Sequence, residues 1–326
     1  MKFGTVQHTS WMTSGVDMLS FDDITVTRVV EWSGPISTVS EILPDAAAEE
    51  WSSLETVMAP DFWDPATGAY LCNIQTWVIR QPGRTVLVDT GVGNDRDRPQ
   101  VPSFAHLHTD FLDRLARVGV DPGEVDLVIN THVHYDHVGW NTQLLDQTFV
   151  PTFPHATYLV PRADYDYFHP TNAHNMKAPE ADDERRRFEG IRLVFEDSIA
   201  PIEESGQLEL WDTEFSVPGL PLRLLPAPGH TPGSSVVQLH AGRGAVFVGD
   251  LLHSPMQLLH PDYGCSFDLD ATQARASRRA VLERAAGTGA MIFPAHLPGH
   301  SAAVIEPRPH SNDFRITRWA DLPRSS

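Results

Sequence analysis

The chain has 326 residues, 43 acidic against 24 basic, and a formal net charge of −19, which argues against a nucleic-acid partner because a phosphate backbone is bound through a basic surface. Its 2 cysteines, Cys72 and Cys265, are too few for a disulfide framework, and no run approaches the roughly twenty apolar residues that cross a membrane, so a soluble, cytoplasmic chain is expected. The length suffices for a large core, and 26 prolines with 22 glycines fit a loop-rich α/β enzyme better than a helical bundle.

Residues 1–22 are polar and rich in Ser, Thr and His, without an apolar stretch of signal-peptide length, and are expected to form a flexible arm before one catalytic domain over 23–326. Strand patterns follow at 24–31, 70–80 and 85–88, then a helix over 104–118 and a strand over 125–129. Next come a strand at 157–160, a charged surface helix at 180–188 and an extended run at 192–195. The second half predicts strands at 222–225, 234–240 and 245–248, a helix over 271–286 and a strand at 291–293. Two long non-periodic stretches, 43–68 and 146–178, suit lids or substrate walls. Phe62, Trp63, Trp140, Phe153, Tyr165 and Phe168 are the candidates for an apolar pocket for a small-molecule substrate, each of them equally suited to packing a loop onto the core.

The chemistry concentrates after the strand pattern at 125–129. Residues 131–139 read Thr-His-Val-His-Tyr-Asp-His-Val-Gly, so His132, His134, Asp136 and His137 offer nitrogen and oxygen donors suited to zinc, iron or manganese. The plainer reading is a polar loop in which Asp136 caps the following helix. A turn leaving a strand can splay successive side chains toward one point; here His132 and His134 would face one metal, with Asp136 and His137, at the mouth of the next helix, facing a second. Four residues on one turn close neither shell, so further ligands are required. His230 lies in the Pro/Gly-rich Pro-Gly-His-Thr-Pro-Gly loop, Asp250 follows the strand at 245–248 and Gly249, and His296 follows the strand at 291–293 within Pro-Ala-His.

With those four motifs in that order, the chain resembles a metallo-β-lactamase-fold hydrolase over roughly residues 23–300. The resemblance implies a four-layer αββα sandwich, with His132, His134 and His230 on a first divalent metal, Asp136, His137 and His296 on a second, and Asp250 bridging them. Two divalent ions held close together repel and call for such a bridge, together with a shared hydroxide. Zinc is the leading metal. The resemblance makes Asp89, closing the strand at 85–88, a partner of a ligating histidine; turn capping is its alternative. His253 stands where related lactonases carry a tyrosine that touches the substrate carbonyl. As an imidazole it would donate to a developing oxyanion or protonate a leaving group, or else simply pack.

His106, His108 and Asp110 also spell His-x-His-x-Asp, but they fall where Phe104, Leu107, Phe111, Leu112 and Leu115 repeat with helical spacing. Residues two apart on a helix do not share a face, so a solvated helix surface is expected. Asp250 speaks against true zinc β-lactamases, which the resemblance gives a cysteine or no bridging Asp there. With only a short run after His296, the helical region of glyoxalase II-like thioesterases is not expected, and His134 stands where flavo-diiron reductases have Glu. The branch that remains resembles lactonases and methyl parathion hydrolase. It implies a dinuclear hydrolase whose bridging hydroxide attacks a lactone or carboxylic ester, with Asp136, Asp250 and His253 as catalytic residues. The alternatives are an organophosphate triester hydrolase and a di-iron redox enzyme. Relatives commonly pair, so a homodimer is expected.

Overall fold

The computed structural model describes residues 17–175 and 181–322. Apolar alternation along its strands decides how they stack. Within Arg84–Val88, Val86 and Val88 enter one core and Leu87 another, and Val128 is opposed in the same way to Leu127 and Ile129. In Ala245–Gly249, Ala245 and Phe247 share the core of Val86 and Val88, while Val246 and Val248 enter a third. Strands buried on both faces need a layer on each side.

The first sheet has eight strands. Seven follow the order Met18–Phe21, Ile24–Thr38, Ala69–Gln81, Arg84–Val88, Leu127–Ile129, Thr157–Pro161 and Leu208–Trp211, and the short Trp63–Asp64 pairs beside Ala69–Gln81. Pairing is antiparallel as far as Arg84–Val88 and parallel from there on. The second sheet has seven strands in chain order: Phe215–Ser216, Leu222–Pro226, Ser235–Leu239, Ala245–Gly249, Met291–Pro294, Ala303–Pro307 and Phe314–Trp319. Its one parallel pair joins Ala245–Gly249 to Met291–Pro294.

Between the sheets, Trp77, Val88 and Ile129 pack with Leu224, Phe247 and Phe293. Helices Phe111–Arg117 and Asp182–Ser198 cover the outer face of the first sheet through Phe111, Leu115, Val194 and Phe195. Helix Ala271–Thr288 covers the second through Leu282 and Ala285. Each such large side chain contributes roughly 1.5–3 kcal/mol by leaving water, so the layers hold themselves together. The result is the expected αββα sandwich. Among the described residues, no helix is long and apolar enough to cross a membrane.

Several local expectations are corrected. Met18–Phe21 is a strand paired with Ile24–Thr38, and its Leu19 and Phe21 are buried between the sheets, so this part of the proposed arm belongs to the folded domain. Residues 1–16 lie outside the described residues. The helix expected from 104 starts at Phe111, because Pro102–Phe104 is a single 3-10 turn and His106 takes a left-handed φ of 53°. The extended run at 192–195 belongs to helix Asp182–Ser198, whose Ile191, Val194 and Phe195 keep helical spacing. The stretch 146–178 supplies the second strand of the hairpin Thr142–Leu145 and Thr148–Pro151, then strand Thr157–Pro161 and helix Arg162–Phe168. Residues 176–180 lie outside the described residues.

Candidate metal centre

Strand direction brings the donors to one edge. Arg84–Val88 and Leu127–Ile129 run parallel, and so do Ala245–Gly249 and Met291–Pro294. Leu222–Pro226, separated from Ala245–Gly249 by one antiparallel neighbour, points the same way as it does. The C-terminal ends of these strands emit, in order, Asp89, the 132–137 loop, Asp250, His296 and His230. Two glycines allow the close approach. Gly249 has φ 50° with Thr131 so near that a Cβ would lie 2.6 Å from its Oγ1; at Gly229, φ 134°, a Cβ would lie 2.1 Å from the Ala274 backbone nitrogen.

Two groups of donors converge there, His132, His134, His230 and Asp250 in one and Asp136, His137 and His296 in the other. In the first, His134 Nδ1 lies 3.1 Å from His132 Nε2 and 3.0 Å from His230 Nε2, and Asp250 Oδ2 is 3.7 Å and 3.3 Å from those two Nε2 atoms. In the second, His137 Nε2 and His296 Nε2 are 3.2 Å apart, and Asp136 approaches them at 3.9 Å and 3.5 Å. Asp250 Oδ1 faces this second group, 3.1 Å from His137 Nε2 and 2.9 Å from His296 Nε2.

These residues fit a pair of metal ions. Nitrogens bound tetrahedrally at 2.0–2.1 Å from zinc lie about 3.3 Å apart, close to the spacings observed. Asp250 Oδ1 is buried without a hydrogen-bond partner of acceptable geometry, a costly state for an oxygen that no cation shares. Burial holds the His132 and His134 imidazoles well below the ordinary histidine value, which leaves them neutral and able to bind through a lone pair. Burial opposes the Asp250 charge, yet His137, His296 and His253 hold its carboxyl well below the usual range.

The outward-facing nitrogens are anchored too. His137 Nδ1 donates to Asp89 Oδ2 at 2.9 Å, and Asp89 also accepts from the Thr131 N–H at 2.7 Å. His296 Nδ1 donates to the Asn73 carbonyl at 2.8 Å, His230 Nδ1 meets Asp268 Oδ1 at 3.3 Å, and His132 Nδ1 pairs with Thr131 Oγ1 at 3.1 Å. Such partners fix the tautomer and the ring plane.

Sequence reasoning missed Asp268, which sits in a loop with no ligand spacing and is itself paired with buried Arg278 at 3.4 Å. It also missed Asp164. That carboxylate is fully buried on helix Arg162–Phe168 and accepts from the Val133 N–H at 2.8 Å, the Thr231 hydroxyl at 2.8 Å and the Gly233 N–H at 2.5 Å, tying the His132–His134 turn to the His230 loop. Its only sequence signal was an Asp just past a strand-like run. Asp136 and His137 do not open an α-helix as expected; a 3-10 turn, Gly139–Asn141, follows them.

His253 is buried, and its Nε2 donates to Asp250 Oδ2 at 3.2 Å. Burial lowers its proton affinity, and its Nδ1 is buried without a hydrogen-bond partner. His106 and His108 are apart from both groups: His108 is exposed in a loop and paired with Asp95 at 3.3 Å, and His106 occupies the left-handed turn.

A cavity of about 600 Å³ opens over the cluster, lined by His134, Asp136, His230, Asp250, His253 and His296 on its polar side. Of the six aromatics expected there, Phe168 lines it. The other five pack against aromatic neighbours instead. Phe62 stacks on Trp319, Trp63 meets Trp51, Trp140 stacks on Phe111 and donates to Glu31 at 2.6 Å, Phe153 lies against Tyr158, and Tyr165 meets Phe195.

Comparison with known proteins agrees with this geometry. The chain is 24% identical over 188 residues to the probable metallo-hydrolase YybB of Bacillus subtilis, spanning 58% of this chain and 66% of that protein, just under two thirds of its length. It is 27% identical over 246 residues to a hydroxyacylglutathione hydrolase of Aeromonas hydrophila, spanning 74% and 69%. Among solved structures, the hydrolase AbOPH of the beta lactamase superfamily superposes with a TM-score of 0.76 at 20% identity, covering 97% and 99% of the two chains. AidC, a dizinc quorum-quenching lactonase, gives 0.70 at 20% identity, covering 95% and 98%. At that identity both likenesses speak for the fold. Residues 69–296, which carry every converging donor, match the family model of the metallo-beta-lactamase superfamily, and the chain belongs to that superfamily.

Proposed function

We propose that the protein is a dinuclear metal hydrolase acting on a lactone or carboxylic ester. The observation that carries this reading is the division of Asp250, with Oδ2 toward His132 and His230 and Oδ1 toward His137 and His296. His132, His134 and His230 would hold one divalent ion, Asp136, His137 and His296 the other, and Asp250 both; zinc suits this nitrogen and oxygen set. Such a pair, when bound, acidifies a water and polarises an ester carbonyl.

The chain's own residues do the rest. Asp250 fixes the separation of the two donor groups, and Asp89 and Asp268 keep His137 and His230 turned toward them. His253, held by Asp250, lines the cavity beside the cluster and would exchange a proton with a bound substrate. Phe168 and other apolar lining residues exclude bulk water and orient the body of a substrate. The relationship to proteins described as metallo-hydrolase, hydroxyacylglutathione hydrolase and lactonase supports hydrolysis as the reaction type.

The test is turnover of a small panel by the purified protein: acyl-homoserine lactones, aryl carboxylic esters and an aryl phosphotriester. Faster turnover of lactone or carboxylic ester is expected, while a preference for the phosphotriester would reassign the substrate class. A visible absorption band from bound iron, with no hydrolysis of any member, would favour a redox enzyme instead.

A further inference from the structure

One wall of the cavity carries charge that the hydrolase reading does not use. Helix Asp182–Ser198 sets Arg187, Ile191 and Val194 on one face by helical spacing, and all three line the cavity with Arg186 and Phe188. Both arginines are exposed. Their neighbours on the helix are engaged, Arg185 with Asp182 and Arg192 with Glu189 and Glu196. Among the described residues, Arg186 and Arg187 have no ion-pair or hydrogen-bond partner.

In a chain of net charge −19, two adjacent cations without ion-pair partners form a local positive patch on one wall of the cavity. The acidic lining residues are Asp136 and Asp250, within the cluster, and Glu184, which accepts from the Ala181 N–H at 3.1 Å in the helix cap. Much of the remaining lining is apolar, including Ile36, Ile74, Val101 and Phe104, with Phe267 and Leu269 exposed.

We propose that Arg186 and Arg187 form a subsite for the carboxylate end of an amphipathic ester, whose apolar body lies along the cavity and whose ester group meets the histidine and aspartate cluster. The ester part of this statement rests on the hydrolase reading; the anion subsite does not. A guanidinium grips both oxygens of a carboxylate in a planar fork, and the apolar lining favours a substrate whose charge is confined to one end.

The probes are the mono-4-nitrophenyl ester of adipic acid and the same ester with its free carboxylate methylated. The wild type is expected to favour the free acid about tenfold in kcat/KM, expressed in KM, because exposed ion pairs contribute a few-fold each. The double variant Arg186→Gln, Arg187→Gln is expected to lose that preference and to hydrolyse the methylated ester as the wild type does. Lysine at both positions should retain part of it. Both side chains are exposed and unpaired, so the variants are expected to fold with an unchanged Tm.

Calorimetric binding of the matching 4-nitroanilides, acid and methyl ester, separates the subsite from the chemistry. Tighter binding of the acid that vanishes in the double variant, with no ester turned over, supports the subsite and defeats the hydrolase reading. Equal binding of the two anilides by the wild type, or a preference that survives in the double variant, overturns the subsite whatever the turnover.

Discussion

Asp250 is the residue on which both donor groups depend. Its Oδ1 lies 2.9 Å from His296 and its Oδ2 3.3 Å from His230, so no other side chain among the described residues serves both groups. Asp250→Asn keeps the shape and removes the charge. It is expected to lose metal from both positions and to abolish turnover, as elemental analysis beside an ester assay would read out; wild-type values would refute the bridging role. Asp268 acts one step further out, through His230 Nδ1, and Asp268→Asn is expected to weaken metal affinity about 10–100-fold in a chelator competition while the fold persists. Unchanged affinity would make it a packing residue. His106→Ala and His108→Ala should leave metal content alone and shift stability by no more than about 0.5 kcal/mol, since His108 is an exposed loop residue and neither joins a donor group. A lost metal equivalent in either variant would show that the second His-x-His-x-Asp run had been misassigned.

At the scale of elements, what matters is how separate strand ends are held in register with one another. Helix Arg162–Phe168 does this through Asp164, whose carboxylate satisfies donors from the His132–His134 turn and the His230 loop together. Asp164→Ala strands those buried donors and is expected to cost about 3 kcal/mol or more in urea unfolding, with Asp164→Asn milder. Equal stability of wild type and alanine variant would remove the clamp from the account. The short strands that carry the donors were legible because their residues alternate between two buried faces, as in 85–88 and 245–248, and because the donors follow within a few residues. Asp164 and Asp268 were not legible, since each works through contacts 31 to 69 residues away, and 38 residues away, respectively, which no local spacing encodes. The same reason explains the aromatics. Phe62 and Trp319 are far apart in sequence but stacked, and nothing near Phe62 announces that partner. The strands Ala303–Pro307 and Phe314–Trp319 escaped notice because Arg, Glu and Thr interrupt their apolar pattern on the exposed face.

Across the whole molecule, the two sheets divide the work. The first contributes the 132–137 loop and Asp89, the second His230, Asp250 and His296, so the cluster forms only where the two meet. Metal binding at such a junction should stabilise the folded chain, because an unfolded chain does not hold the donors together. Prolonged chelation is therefore expected to lower Tm, and re-addition of zinc to restore it; an unchanged Tm after complete metal removal would mean that the sandwich stands without the ions. The most direct test of the central claim is metal content per chain in protein purified without added metal. Two equivalents are expected, from two donor groups joined by one carboxylate; a single equivalent, or none, would contradict the dinuclear account.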